Sequence, residues 1–345
     1  MEALLPPELF SGMTTPILLL IIAISIAVLG KGADVLVDCA VKFARMVGVP
    51  RVIIGATLVS LGTTTPEAAV SVLAAFKGLP EFALGNAVGS IICDTGLIFG
   101  LCAVLAPLPK DMFVLNRHGW IQIGSAALLV ILCSITIDSA TGSRVLTRGA
   151  GVLLVALLVV YLVVSYYWAR QHEGDGEEED SEKEKSDAKA ILLLFAGMVV
   201  GITLVIFSSH TLIQSVKVTA ERAGIPPAII AATLIAFGTS LPELVTALVS
   251  IRKGATDLLV GNIIGADILN VFFVSGASAL AAPLLVPDIF FWLHFPAMMI
   301  VLIVFRIAIH LPGKTFLRSI GWLLLALYLV YLVANVMLGG GAGAH

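Results

Sequence analysis

Gly62-Thr63-Thr64-Thr65-Pro66-Glu67 and Gly238-Thr239-Ser240-Leu241-Pro242-Glu243 each set a proline and a glutamate inside an otherwise apolar stretch. They are the centre of a duplication. Residues 55–100 align without a gap to 231–276 at a constant offset of 176, with fourteen identities in forty-six paired positions. Gly85-Asn86 with Gly89 returns as Gly261-Asn262 with Gly265. Ionisable groups at membrane depth cost several kcal/mol, and a symmetric pair of Pro-broken apolar helices is the sequence signature of a transporter's central binding site.

Around this repeat the chain is 59% hydrophobic and 12% charged over 345 residues, which excludes an ordinary soluble domain. Cys39, Cys93, Cys102 and Cys133 lie in apolar segments at no metal-ligand spacing and read as small core residues. The six histidines form no ligand motif. The first fifteen residues carry Glu2 and Glu8 without a basic residue, so no cleavable signal is expected.

Windows of about eighteen or more apolar residues lay the chain out as an all-α polytopic membrane protein of ten transmembrane helices: 16–45, 51–76, 82–107, 118–137, 147–169, 189–222, 228–251, 257–283, 288–309 and 316–338. Gly48-Val49-Pro50 pairs with Gly224-Ile225-Pro226 at the same offset, so the duplication extends beyond the central motif. With the N-terminus outside, inward connections hold fourteen of the twenty Lys and Arg residues, from Lys42, Arg45 and Arg51 to Arg306, Lys314 and Arg318. Outward ones hold Lys77, Arg144, Arg148, Lys217 and Arg222, a bias that fixes orientation. Lys31 lies within the first helix, within reach of Asp34 and Asp38 or of a membrane boundary. Five helices per half make the second half enter in the opposite sense. The expected organisation is therefore an inverted repeat: 1–170, an acidic cytoplasmic linker at 171–188 too polar to fold, and 189–345.

The break supplies chemistry. Pro66 has no N–H to donate and clashes with the Gly62 carbonyl, which frees backbone oxygens beside Glu67, and Thr63 shares a face with Glu67 four residues on. The second copy offers Thr239, Ser240 and Glu243. On the third helix Asn86, Ser90 and Asp94 recur every four residues; their counterparts are Asn262, Ala266 and Asn270, with Asp267 beside that stripe. The glycines of both copies would let these helices approach closely. Carboxylates, hydroxyls and carbonyls form a hard-oxygen set that suits sodium or calcium and not zinc or copper. A buried glutamate matched in both halves has little structural use, whereas Asp94 and Asp267 divide less clearly between ligand and structural role.

These motifs resemble the two alpha-repeats of the calcium/cation antiporter superfamily, and most of all its prokaryotic sodium/calcium exchanger branch. The resemblance spans all ten helices. It implies a secondary active antiporter, not an enzyme, with calcium and sodium as transported ions, no cofactor, no nucleic acid and no obligatory protein partner, in a plasma membrane with both termini outside. By position, Glu67 and Glu243 would bind calcium and sodium alternately. Thr63, Thr64, Ser90, Thr239 and Ser240, with carbonyls near Ser60 and Ala236, would complete sodium positions. The family implies three sodium ions exchanged for one calcium while the first and sixth helices slide over the rest.

The chain departs from that pattern in five places. Prokaryotic exchangers usually carry Asn where Asp94 stands and Asp where Asn270 stands, Ser where Ala266 and Thr64 stand, and Asn in place of Asp267. A proton/calcium antiporter using the same carboxylates is the nearest alternative. A membrane-embedded enzyme would need a nucleophile or metal motif that the sequence lacks, and a passive channel would need no counter-ion.

Overall fold

The computed structural model describes residues 7–137, 142–171, 188–224 and 238–339. Most of the acidic linker and the first part of the 228–251 window lie outside these residues. The described chain is helical apart from isolated bridges and a two-residue antiparallel ribbon, Val145–Leu146 against Leu284–Leu285. Eight of its helices are long and apolar enough to cross a membrane, and a bent pair makes a ninth. The protein is thus polytopic and α-helical.

We number the long helices from α1 (Thr15–Val47) and α2 (Arg51–Thr63) through α3 (Thr65–Phe76) to α4 (Pro80–Leu105). Next come α5 (Met112–Ile135), α6 (Arg148–Gln171), α7 (Ala188–Arg222) and α8 (Leu241–Arg252). The last three are α9 (Thr256–Ala281), α10 (Phe290–His310) and α11 (Arg318–Gly339). At about 1.5 Å per residue, the 33 residues of α1 and 35 of α7 exceed the ~30 Å hydrocarbon core.

The 176-residue offset is written into the backbone. Thr64, at φ −83° and ψ −6°, precedes α3, and Ser240, at φ −84° and ψ 8°, precedes α8. The π-helical segment Cys93–Phe99 in α4 is matched by Asn270–Ser275 in α9. Gly48 and Gly224 end α1 and α7 in the left-handed region, at φ 70° and 75°, where a side chain would be strained. Local geometry is therefore repeated even where side chains differ.

Two close crossings organise the bundle. A Cβ on Gly261 would lie 1.9 Å from the Val52 carbonyl oxygen, and one on Gly265 would lie 2.4 Å from that of Ala56, so α9 packs backbone to backbone on α2. At the matching positions, among the described residues, a Cβ on Gly85 would meet only the Phe290 ring at 3.8 Å and one on Gly89 would meet nothing within 4 Å. In the second crossing α1 and α7 meet at Gly32 and Gly201, where a Cβ on Gly201 would lie 2.7 Å from the Leu36 nitrogen. Residues of this pair, including Leu36, Val37, Ala40, Met198 and Val205, share an apolar cluster with Ile54 and Val59 of α2, Val249 of α8 and Leu258 of α9, separate from the large core of α4, α5, α6, α9, α10 and α11.

Polar contacts group the helix ends. Arg252 bonds Asp34, Lys253 lies 2.6 Å from Asp38, and Arg51 lies 2.8 Å from Asp257. Lys110 donates to the Leu311 carbonyl at 2.8 Å. At other ends Arg222 donates to the Ser11 carbonyl at 2.8 Å, and Arg144 reaches Asp288. Each contact joins ends that the basic-residue bias assigns to one side. Lys31 is exposed, and Asp34 and Asp38 take Arg252 and Lys253 from the other half as ion-pair partners, because these cations extend from the C-terminal end of α8 where the helix dipole favours them.

Candidate cation site

At the bent pair, α2 stops at Thr63 and α3 starts at Thr65, with a 41° change of direction. Pro66 sits in the first turn of α3, where its missing N–H costs nothing and Glu67 follows near the positive helix end. Pro242 and Glu243 occupy the same positions in α8. Freed groups are partly retaken locally. The Ser60 carbonyl accepts the Thr64 amide at 2.8 Å, and the Leu61 carbonyl accepts the Thr65 hydroxyl at 2.7 Å. Fewer backbone oxygens are therefore free beside Glu67 than the break alone suggests.

Ser60, Thr63, Thr64, Glu67, Ser90, Asp94, Thr239, Ser240, Glu243, Asn262, Asp267 and Asn270 are all buried. Asn86 is half-buried, and Ala236 lies outside the described residues. Glu67 has Glu243 and Asp94 as its Coulombic neighbours, so three carboxylates from α3, α8 and α4 converge. The Ser240 hydroxyl is directed to Asp94, and the hydroxyls of Thr63 and Thr64 to Glu243. These approaches stop short of hydrogen-bond geometry. Both carboxylate oxygens of Glu67 and of Glu243, Oδ1 of Asp94 and of Asn270, and the hydroxyls of Thr64 and Ser240 are buried without a hydrogen-bond partner. Buried polar groups are seldom left so, and an assembly of bare oxygens is what a hard cation replaces water with. No cluster of three or more His, Cys, Asp or Glu side chains poised on one metal position occurs among the described residues, so the carboxylates line a site without closing into a cage.

A reciprocal brace frames the site. Thr63 of α2 donates to Asn262 of α9 at 3.4 Å, and Thr239, just before α8, donates to Asn86 of α4 at 3.2 Å. The four residues are two repeat-related pairs exchanged between the halves. Asn86 is held further by donating to Ser71 at 3.0 Å and to the Glu67 carbonyl at 3.4 Å. Ala247 replaces Ser71 in the second copy, and there the Asn262 amide nitrogen lacks a partner.

Asp267 stands apart. Its Oδ2 accepts from Gln122 at 2.6 Å and from Thr95, and Asp94 is its Coulombic neighbour. Sequence reasoning passed over Gln122 and Thr95; a lone glutamine in the apolar run of α5 was the available signal. A second unanticipated contact supports the π-turn at Gly55–Val59: Tyr161 donates to the Ala56 carbonyl at 2.9 Å, and His118 lies 3.1 Å from the Tyr161 hydroxyl. This gives His118 a structural task.

Two buried, repeat-related glutamates in the first turns of α3 and α8, with a brace exchanged between the two copies, present hard oxygens suited to an ion. The chain belongs to the sodium/calcium exchanger protein family, whose model matches residues 17–167 and 193–337. It is 33% identical to the inner membrane protein YrbG of Escherichia coli strain K12, over 87% of this chain and 91% of that one. It is 30% identical to the sodium/calcium exchanger MaX1 of Methanosarcina acetivorans, over 91% and 97%. The fold matches that of the sodium-calcium exchanger NCX_Mj, solved with 10 mM Na+ and zero Ca2+, with a TM-score of 0.76 at 24% identity over 93% of this chain and 99% of that one.

Proposed function

We propose that the chain is a secondary active sodium/calcium antiporter in which sodium influx drives calcium efflux through Glu67 and Glu243 by alternating access. The observation that carries this is the pair of repeat-related, buried glutamates in the first turns of α3 and α8, with four unpartnered oxygens. Coupling follows from competition, since calcium and a set of sodium ions need the same carboxylates. The emptied anionic site resists crossing the low-dielectric interior. Thr63, Thr64, Ser90, Thr239, Ser240, Asp94 and Asn270, with the carbonyls of Ser60 and Ala236, serve as the neutral and anionic oxygens of sodium positions. Asn86 and Asn262 act as braces.

The full architecture we propose is ten helices in two inverted five-helix repeats, 1–170 and 189–345, joined by a cytoplasmic linker at 171–188. The repeated backbone angles and grouped helix ends support it. We place the protein in the plasma membrane with both termini outside, on the basic-residue bias. The α1–α7 pair, joined at Gly32 and Gly201 and packed through an apolar cluster on α2, α8 and α9, is the element that slides. Radiolabelled calcium uptake into liposomes, with and without an outward sodium gradient, tests the function: stimulation by the gradient is expected, and uptake driven only by a pH gradient would transfer the assignment to proton/calcium exchange.

A further inference from the structure

Asp267, Thr95 and Gln122 meet inside the bundle beyond the glutamates. Their repeat-related positions, 176 residues away, are Ile91, Val271 and Met298. All three of these are fully buried in the large apolar core. The molecule therefore contains its own control: one architecture accepts hydrocarbon at a set of three positions in one copy and a carboxylate, a hydroxyl and an amide in the other. The fold does not require the polar set, and burying it costs free energy that the apolar twin avoids. Its geometry is also incomplete. Asp267 is 1% exposed, its Oδ2 takes both donors, and its Oδ1 has no partner among the described residues.

The geometry points to a proton-binding site at Asp267 Oδ1, one that changes occupancy as cations bind at Asp94; it rests on the exchanger reading above. A single open oxygen beside two saturating neutral donors suits a proton, whereas a hard metal cation takes six or more oxygens. The charged and titratable groups on the surrounding helices are few. Asp94 on α4 is the Coulombic neighbour. His118 on α5, one turn from Gln122, is engaged with Tyr161, and Arg51 on α2 is engaged with Asp257. Glu243 on α8 and Glu67 on α3 couple to Asp94. A cation on Asp94 favours the anionic form of Asp267, so the proton leaves through the central site as the cation arrives. By linkage, apparent calcium affinity rises with pH, by about tenfold for a coupling of ordinary size.

Infrared difference spectra of the purified full chain, recorded from pH 5 to 9, test the site without depending on transport. The wild type is expected to show a carboxylic-acid C=O band that titrates and that calcium or sodium suppresses. Asp267→Asn, whose amide oxygen still accepts from Thr95 and Gln122, is expected to lack it. The triple variant Asp267→Ile, Thr95→Val, Gln122→Met copies the apolar twin and guards against a folding artefact; it too is expected to lack the band and to flatten the pH dependence of the calcium KM. A spectrum identical in wild type and Asp267→Asn would overturn the site. So would an unchanged pH profile accompanied by loss of one sodium from the cooperativity, which would make sodium the ligand. A titrating Asp267 band in a protein that shows no sodium-driven calcium uptake would overturn the exchanger reading and leave the proton site standing.

Discussion

Glu67 and Glu243 differ from every other acidic residue in the helices in having a repeat-related glutamate and no hydrogen-bond donor on either oxygen. Replacing either by Gln keeps shape and removes charge, so exchange is expected to fall by on the order of 100-fold or more, with thermal unfolding unchanged or raised because a buried like charge is gone. Calcium flux in liposomes and a melting curve in detergent check both halves of that statement. The two asparagines should behave unequally despite their symmetry. Asn86 makes three side-chain bonds and Asn262 one. At about 1 kcal/mol net per bond, Asn86→Ala is expected to lose about 2–3 kcal/mol and Asn262→Ala about 1 kcal/mol. Equal losses in chemical denaturation would refute the brace. The glutamates were legible in the sequence because charge in an apolar run has few explanations. The Thr63–Asn262 and Thr239–Asn86 exchange was not, since it joins residues about 150 to 200 positions apart and no local periodicity encodes it.

The helix break belongs to the scale of elements. Pro66→Ala restores an N–H able to bond the Gly62 carbonyl and removes the reason for the 41° bend. The straightened helix is expected to keep or gain stability while exchange slows on the order of 100-fold, the usual cost of misplacing a reactive group by about 1 Å. Retained transport with a preserved bend would show that Gly62 and Thr64, and not Pro66, set the break. A second test concerns the helix pair proposed to slide. Arg252 and Lys253 tie α8 to Asp34 and Asp38 on α1, and such partly exposed pairs are individually weak. Asp34→Asn with Asp38→Asn is expected to shift the balance between the two access states only a few-fold, read as altered labelling of single cysteines placed on either side. No shift would make the ion pairs incidental. The described helices and the break at Pro66 could be read from hydropathy and backbone chemistry. The π-turns at Gly55–Val59, Cys93–Phe99 and Asn270–Ser275 could not, because tertiary partners such as Tyr161 on Ala56 support them.

At the scale of the whole molecule, duplication and function are one statement. In the inverted repeat proposed above, two copies would set equivalent glutamates on opposite sides of a central site and give a structure able to open either way at modest cost. The repeat was readable because an unbroken 176-residue offset keeps its glycines, prolines and glutamates in register. What the offset concealed is asymmetry: Asp94 faces Asn270 across the repeat, and Asp267 faces Ile91. Three sodium ions against one calcium would move one net charge per cycle, worth about 2.3 kcal/mol per 100 mV. The most direct test is calcium uptake into sodium-loaded liposomes under a potassium-clamped membrane potential, with the Glu67→Gln, Glu243→Gln protein as control. The account predicts uptake that requires internal sodium, accelerates when the lumen is positive because each cycle carries net positive charge out of it, slows when the potential is inverted, and disappears in the control. Uptake that ignores the sodium gradient, or that persists without both glutamates, would contradict it.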